Sequence, residues 1–226
     1  MKKYAVIVAG GSGSRMGNAV PKQFLLLRGK PVLWYSLEVF LGAYADMEII
    51  LVVSEEYMEE ARSLIATTTA PSRIRLVAGG LTRFHSVRNG LEVIGGEDSV
   101  IFVHDGVRCL LSPALVHRCY EQAIRSGSAI PVVDCKDSVR LVTGEANAGV
   151  DRSRVKLVQT PQTFLSSILL PAYRVDYREE FTDEATVVEA AGHAVQLVEG
   201  EAGNIKITLP MDLILAEKMV SPPLPE

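Results

Sequence analysis

The chain has 226 residues, of which 48% are hydrophobic and 22% are charged. This composition is ordinary for a globular protein and excludes a disordered, collagen-like or low-complexity chain. The 23 basic and 27 acidic residues give a net charge of −4, which argues against a general nucleic-acid binder.

Short apolar runs alternate with amphipathic stretches along the chain, without an internal repeat or a low-complexity linker. Strands are predicted at 4–9, 48–53, 73–77, 99–103 and 129–133. Helices are predicted at 31–41, 55–65 (with Ser54 as N-cap), 82–94, 112–125, 164–173, 182–191 and 210–219. The alternation predicts a single α/β domain over 1–226 with a mostly parallel sheet.

The alternation is interrupted between residues 134 and 158. Two β-favouring stretches there flank a segment rich in Gly, Asn and Ala at 144–149. We interpret 134–158 as a projecting β-arm and 221–226 as a loose tail. Because ligands of open α/β sheets bind at the carboxyl ends of the strands, the residues that follow each strand are the candidates for function.

The first strand runs into a loop rich in glycine, AGGSGSRMG at residues 9–17. The loop matches neither the GxGxxG dinucleotide fingerprint nor the Walker A motif. Glycines let the backbone approach a ligand closely, and successive backbone N–H groups can bind an anion. Because Arg15 lies inside the loop and Lys22 follows it, we favour a phosphate site over a simple tight turn.

Six ordered motifs extend from this loop to the C-terminal region and resemble those of sugar-phosphate cytidylyltransferases. They are AGGSGSRM with PKQF (9–16 and 21–24), HDGVR (104–108), DRS with QTPQTF (151–153 and 159–164), TDEA (182–185), VEG (198–200), and NIKIT with PMD (204–208 and 210–212). Together they are most similar to the 2-C-methyl-D-erythritol 4-phosphate cytidylyltransferase family. The resemblance implies a Rossmann-like three-layer sandwich.

The resemblance also implies a reaction in which CTP and 2-C-methyl-D-erythritol 4-phosphate give a CDP-alcohol and pyrophosphate. The attacking phosphate monoester has a second pKa of about 6, so it needs no general base at neutral pH. The reaction needs positive charge instead, because two polyanions meet and negative charge accumulates in the transition state. The resemblance implies Mg²⁺, or another divalent cation, as cofactor.

Site residues follow from matching this sequence to the family's motifs. The predicted catalytic cations are Arg15, Lys22 and Lys206. The predicted CTP-binding residues are Ala9, Gly10, Gly11, Gly13, Gly80, Arg83 and Ser86. The predicted acceptor-binding residues are Asp105, Arg108, Ser138, Arg152 and Thr160, and Asp105 is also the predicted metal ligand.

In the family the arm reaches across a two-fold axis. The resemblance therefore implies a homodimer in which Ser138 and Arg152 complete the neighbour's active site. This chain departs from the family pattern at two places: Val8-Ala9-Gly10-Gly11 stands where many relatives have Pro-Ala-Ala-Gly, and Ser138 and Arg140 replace a threonine and a lysine.

Two alternatives stay open. Ala9-Gly10-Gly11 and Val107 favour a ribitol-5-phosphate cytidylyltransferase, whereas TDEA and DRS favour methylerythritol phosphate. The second alternative is a CTP-binding regulatory module without catalysis, against which the full set of charged residues argues.

The remaining features concern partners and location. No window of 18 uncharged apolar residues is present, so we expect no contact with a membrane, and the net charge predicts no nucleic-acid partner. The three cysteines form no CxxC pair, which is typical of a reduced, cytoplasmic protein.

Overall fold

The computed structural model of the protein describes residues 1–11 and 20–220. The strands are β1 (Lys2–Val8), β2 (Leu26–Leu27), β3 (Lys30–Pro31), β4 (Met47–Val53), β5 (Ile74–Ala78), β6 (Ser99–Asp105), β7 (Ser128–Asp134), β8 (Val139–Thr143), β9 (Ala146–Val150), β10 (Lys156–Val158), β11 (Gln162–Leu165) and β12 (Leu197–Glu199). The α-helices are α1 (Val32–Ala43), α2 (Met58–Ile65), α3 (Arg83–Glu92), α4 (Pro113–Ser126), α5 (Ser166–Ala172), α6 (Glu184–Ala190) and α7 (Pro210–Met219).

The central sheet has the strand order β10-β7-β11-β6-β1-β4-β5, and β12 also pairs with β7. The neighbours β6, β1, β4 and β5 are parallel, as is the β12–β7 pair. β11 runs antiparallel to both β6 and β7, and β10 runs antiparallel to β7. Val8 of β1 is in register with Val52 of β4 and Asp105 of β6, so these strands end at one edge of the sheet.

Apolar residues cover both faces of the sheet. Ala5 and Ile7 of β1 belong to the core beneath α1 and α4, whereas Tyr4 and Val6 belong to the core that includes residues of α3 and α5. Successive side chains of a strand point to opposite faces, so the continuous apolar run in β1 is what a sheet covered by helices on both sides requires. This arrangement confirms the predicted Rossmann-like three-layer architecture.

Two local predictions were wrong. The segment predicted as a helix at 164–173 begins as β11, because Phe164 is completely buried between β6 and β7, and α5 starts only at Ser166. The Ser54 side chain makes no capping hydrogen bond, since a 3₁₀ turn at Glu55–Tyr57 precedes α2. By contrast, the Ser112 hydroxyl accepts a hydrogen bond from Leu115 N and caps α4 as expected of serine at that position.

The β-arm is smaller than the predicted segment 134–158. A hairpin of β8 and β9 forms it, with Gly144 at a φ of +61° in the turn, a backbone conformation that favours glycine. β10 belongs to the central sheet and not to the hairpin. Leu141 and Val142 of β8 are 64% and 68% exposed. The hairpin therefore presents apolar side chains on its surface.

Among the described residues, the longest helix is α4 with 14 residues, and no helix is both long and apolar enough to cross a membrane.

Candidate active site

The carboxyl ends of β1, β5 and β6 bring three loops together. Ala9 N donates to Val52 O at 2.8 Å, Gly79 N donates to Val53 O at 2.7 Å, and Gly106 N donates to Val8 O at 3.0 Å. Each loop is therefore fixed to a neighbouring strand as it leaves the sheet. The loops form the edge at which open α/β sheets bind their ligands.

A cleft of about 430 Å³ lies between these loops. Its lining residues are Val8, Ala9, Gly10, Gly11, Lys22, Gln23, Gly80, Leu81, Thr82, Arg83, Ser86, Asp105, Val107 and Lys206. All predicted CTP-binding residues that the structure describes are among them, as are the predicted catalytic lysines. Gly13 and Arg15 lie outside the described residues.

Gln23, which we did not predict as a site residue, supports the first loop. Its side chain is 1% exposed, and its Nε2 donates to Ala9 O at 2.7 Å and to Gly11 O at 3.2 Å. A 3₁₀ turn at Lys22–Phe24 places this amide beside the loop while Lys22 lines the cleft. The Pro-Lys-Gln-Phe motif thus supplies both a cation and a support for the loop.

The opposite wall is formed by Gly80 and the start of α3. Ser86 Oγ accepts from Gly80 N at 3.1 Å and donates to Thr82 O at 3.0 Å, and Thr82 is the N-cap of α3. A Cβ atom on Gly80 would lie 2.4 Å from Cβ of His85, so only glycine fits there without displacing the helix. Ser86 therefore holds this wall in place from within the cleft.

Asp105 is the centre of a cluster of charges at the end of β6. Its Oδ1 lies 3.1 Å from Arg83 Nε, and its Oδ2 lies 2.8 Å from Lys206 Nζ and 4.0 Å from Arg108 Nε. Burial would raise the pKa of this carboxyl, but Arg83, Lys206 and Arg108 outweigh burial and hold the pKa well below its usual range. Asp105 is therefore a carboxylate at any physiological pH.

Lys206 reaches Asp105 because its neighbour in the chain is anchored. Ile207 is completely buried in an apolar cluster with Val107, and Ile207 N donates to Val107 O at 3.0 Å. The segment at 204–208 is not a strand, and its start is held by the buried Asn204, whose Nδ2 donates to Thr160 O at 2.8 Å. Contacts on both sides of Lys206 therefore fix the position of the lysine.

His104 and Thr160 form a buried network behind Asp105. The Thr160 hydroxyl accepts from Asp105 N at 3.1 Å and contacts His104 Nδ1 at 2.9 Å, while His104 Nε2 contacts Arg108 O at 3.2 Å. A carbonyl oxygen can only accept, so Nε2 carries the proton and Nδ1 accepts from Thr160. Burial lowers the pKa of His104 to about 3, so this histidine is neutral.

The residues predicted to bind the acceptor do not meet at one place in the single chain. The Thr160 hydroxyl is committed to His104 and Asp105, and Arg108 donates to Asn204 O at 2.8 Å and Val158 O at 3.3 Å. Ser138 and Arg152 are exposed and do not line the cleft, and Arg152 donates to Lys136 O at 3.0 Å.

A buried carboxylate outside the cleft, Glu184, also belongs to the charge cluster. It contacts both terminal nitrogens of Arg83, with Nη2 and Oε2 3.1 Å apart. Glu184 lies in the TDEA motif, 101 residues from its partner in the sequence. The TDEA motif marks Glu184 in the sequence, but nothing in the sequence identifies Arg83 as the partner of Glu184.

The described residues contain no group of three or more His, Cys, Asp or Glu side chains able to hold a metal ion. Asp105 is the one carboxylate in the described lining of the cleft. Mg²⁺ at nucleotide sites is commonly bound through one or two carboxylates together with substrate phosphates. The residues present therefore fit a metal ion that arrives with a nucleotide.

A Rossmann-like sheet whose strands end at a glycine-lined, cationic cleft defines a protein of the nucleotide-binding α/β class. A family model described as 2-C-methyl-D-erythritol 4-phosphate cytidylyltransferase, IspD, matches residues 4–221. The chain belongs to this family of nucleotidyltransferases, and the predicted family is confirmed.

Individual relatives and solved structures agree with this assignment. The chain is 44% identical to the 2-C-methyl-D-erythritol 4-phosphate cytidylyltransferase of Phocaeicola vulgatus, over 97% of this chain and 100% of that protein. It is 41% identical to the protein of the same name from Syntrophus aciditrophicus, over 96% of this chain and 94% of that protein. The crystal structure of the Francisella tularensis enzyme has a TM-score of 0.81 at 31% identity, over 97% of this chain and 100% of that chain.

Proposed function

We propose that this protein transfers the cytidylyl group of CTP to 2-C-methyl-D-erythritol 4-phosphate, a step of non-mevalonate isoprenoid biosynthesis. A phosphate oxygen of the acceptor forms a bond to the α-phosphorus of CTP, and the bond between that phosphorus and the bridging oxygen breaks to release pyrophosphate. The observation that carries the proposal is the 44% identity to enzymes of this name over nearly the whole chain.

The charges in the cleft support this chemistry. Lys22, Arg83 and Lys206 line it, and cations at the phosphates stabilise the negative charge of a phosphoryl-transfer transition state. Arg15 remains a predicted further cation. The acceptor phosphate is already largely dianionic at neutral pH, so the cleft needs no side chain to remove a proton.

We assign binding of a divalent cation to Asp105 and to the phosphates of CTP. When bound, Mg²⁺ would neutralise phosphate charge. Asp105 would hold the ion through the same carboxylate that contacts Lys206, with Oδ2 and Nζ 2.8 Å apart, and the lysine would remain beside the phosphates. Free Cys109, Cys119 and Cys135 are compatible with the predicted cytoplasmic location.

An assay of the purified protein with CTP and Mg²⁺ tests the reaction. Turnover with 2-C-methyl-D-erythritol 4-phosphate supports the proposal, and turnover with ribitol 5-phosphate alone contradicts it in favour of the alternative cytidylyltransferase. Binding of CTP without turnover of either acceptor would indicate a regulatory module. Lys22→Ala should lower kcat by about 100-fold or more, whereas Lys30→Ala, an exposed lysine outside the cleft, should leave kcat unchanged.

The β-arm supports a homodimer with shared active sites. Arg152 and Ser138 lie away from the cleft of their own chain, and the arm exposes Leu141 and Val142, which a second copy would bury. Arg152 of one protomer would then bind the acceptor phosphate in the site of its partner, because a guanidinium binds phosphate through two hydrogen bonds.

Mixing two defective variants tests this sharing of sites. Lys22→Ala and Arg152→Ala should each lose most of their activity as homodimers. In a mixed dimer, one of the two sites combines the intact Lys22 of one protomer with the intact Arg152 of the other, and the second site lacks both. Unfolding and refolding the two variants together should therefore recover about a quarter of the wild-type specific activity. Activity equal to the average of the two separate variants would show that each site uses its own Arg152.

A further inference from the structure

Glu184 is a charged group that the reaction as described does not use. Its carboxylate is completely buried, and it contacts both terminal nitrogens of Arg83. Arg83 in turn lines the cleft and donates from Nε to Asp105 at 3.1 Å. One guanidinium therefore links a carboxylate in the core to the carboxylate in the cleft.

The position of Glu184 is itself fixed by the core. The Tyr173 hydroxyl, on a residue only 4% exposed, donates to Glu184 Oε1 at 3.2 Å, and the Tyr173 ring stacks on Phe84 at 4.9 Å. Ala185 N donates to Gln162 Oε1 at 2.8 Å, which holds the first turn of α6 against β11. The carboxylate has little freedom to follow a moving arginine.

A buried ion pair is weak evidence for stability, because well-packed apolar residues of similar volume stabilise a core equally well or better. A fixed buried carboxylate has a different effect on an arginine, since it selects one orientation of the planar guanidinium. Arginine has five N–H groups, and the two carboxylates engage three of them. Two N–H groups are left for a nucleotide in the cleft.

We propose that Glu184 is a positioning residue for cytidylyl transfer: it fixes Arg83 so that Nε holds Asp105 while the remaining N–H groups serve the nucleotide. The inference rests on the proposed function and extends it to a residue outside the cleft. Without the negative charge of Glu184, the guanidinium would turn both of its ends toward Asp105 and compete with Lys206 for that carboxylate.

Glu184→Gln, an isosteric change that removes the charge, tests the proposal. A displaced catalytic group commonly lowers the rate by about 100-fold, and we expect a fall in kcat of this order. Glu184→Asp keeps the charge on a shorter side chain and should recover part of the lost kcat. Asp183→Asn is the matched control, because Asp183 begins the same helix and accepts from Thr186 N and Gln162 without contacting Arg83.

The control separates positioning from helix stability. In the control we expect kcat within about threefold of wild type, since asparagine is also a good N-cap. The proposal is overturned if Glu184→Gln retains kcat within threefold of wild type. It is also overturned if Glu184→Gln and Asp183→Asn lose kcat equally, with the same loss of melting temperature. If Glu184→Gln does not fold, Glu184→Asp decides against the same control, because its carboxylate is one methylene shorter and would draw Arg83 away from Asp105. A kcat below that of Asp183→Asn at an equal melting temperature supports the proposal, and a kcat equal to that of Asp183→Asn overturns it.

Calorimetric titration with CTP alone distinguishes this proposal from the proposed reaction. If the wild-type protein converts no 2-C-methyl-D-erythritol 4-phosphate, the proposed function fails, but the effect of Glu184 on the nucleotide can still be measured. Weaker CTP binding by about tenfold in Glu184→Gln, with wild-type affinity in Asp183→Asn, supports positioning of Arg83. Equal affinity in all three proteins overturns it.

Discussion

Replacement of His104 by glutamine should remove a large part of the pH dependence of stability. His104 is completely buried, and its two nitrogens contact the Thr160 hydroxyl and Arg108 O. Burial lowers the pKa of His104 from 6.5 to about 3. A proton on Nδ1 would end the hydrogen bond that this nitrogen accepts from Thr160, so the folded protein resists protonation.

The sign and size of the effect follow from the two pKa values. The unfolded chain binds a proton at His104 below about pH 6.5 while the folded protein does not, so stability falls as the pH falls. The loss grows until the pH reaches the folded pKa, near 3. Each pKa unit corresponds to about 1.4 kcal/mol, which gives roughly 4 to 5 kcal/mol in full and about 2 kcal/mol between pH 7 and pH 5.

Urea unfolding followed by circular dichroism at pH 7, 6 and 5, at one protein concentration, measures this loss. The wild type should lose about 2 kcal/mol of unfolding free energy over this range through His104. His104→Gln should be less stable at pH 7 but should lack that share of the pH dependence. His193→Gln, at an exposed histidine, should behave as the wild type. A parallel decline in His104→Gln and the wild type would refute a buried neutral histidine.

Two further substitutions test the walls of the cleft. Gly80→Ala should lower the unfolding free energy by about 1 to 3 kcal/mol, because its Cβ would lie 2.4 Å from Cβ of His85. Gly96→Ala, at an exposed glycine with no described atom within 4 Å of an added Cβ, should not change it, and equal urea midpoints for the two variants would contradict this. Gln23→Leu removes the amide that donates to Ala9 O and Gly11 O, and it should weaken CTP binding about tenfold in a calorimetric titration. An unchanged CTP affinity would show that the loop needs no support from Gln23.

The sequence alone determined the architecture and the chemical character of the cleft. Strand residues such as those of β1 form continuous apolar runs because both faces of the sheet are covered, and this pattern is local. The glycine loop, Lys22 and Asp105 each follow a recognisable element or motif. The net charge of −4 does not describe the cleft, because the first 30 residues, which include Lys22, carry six basic residues and no acidic one.

The tertiary structure decided which of these groups act on one another. Glu184 meets Arg83 across 101 residues, and Thr160 meets His104 across 56, so no spacing in the sequence could identify either contact. Phe164 and Leu165 of β11 were predicted as the start of a helix, because the pairing with β6 and β7 that makes β11 a strand involves distant segments. Burial, distance and charge at a site arise from segments brought together by folding, and the sequence order does not record them.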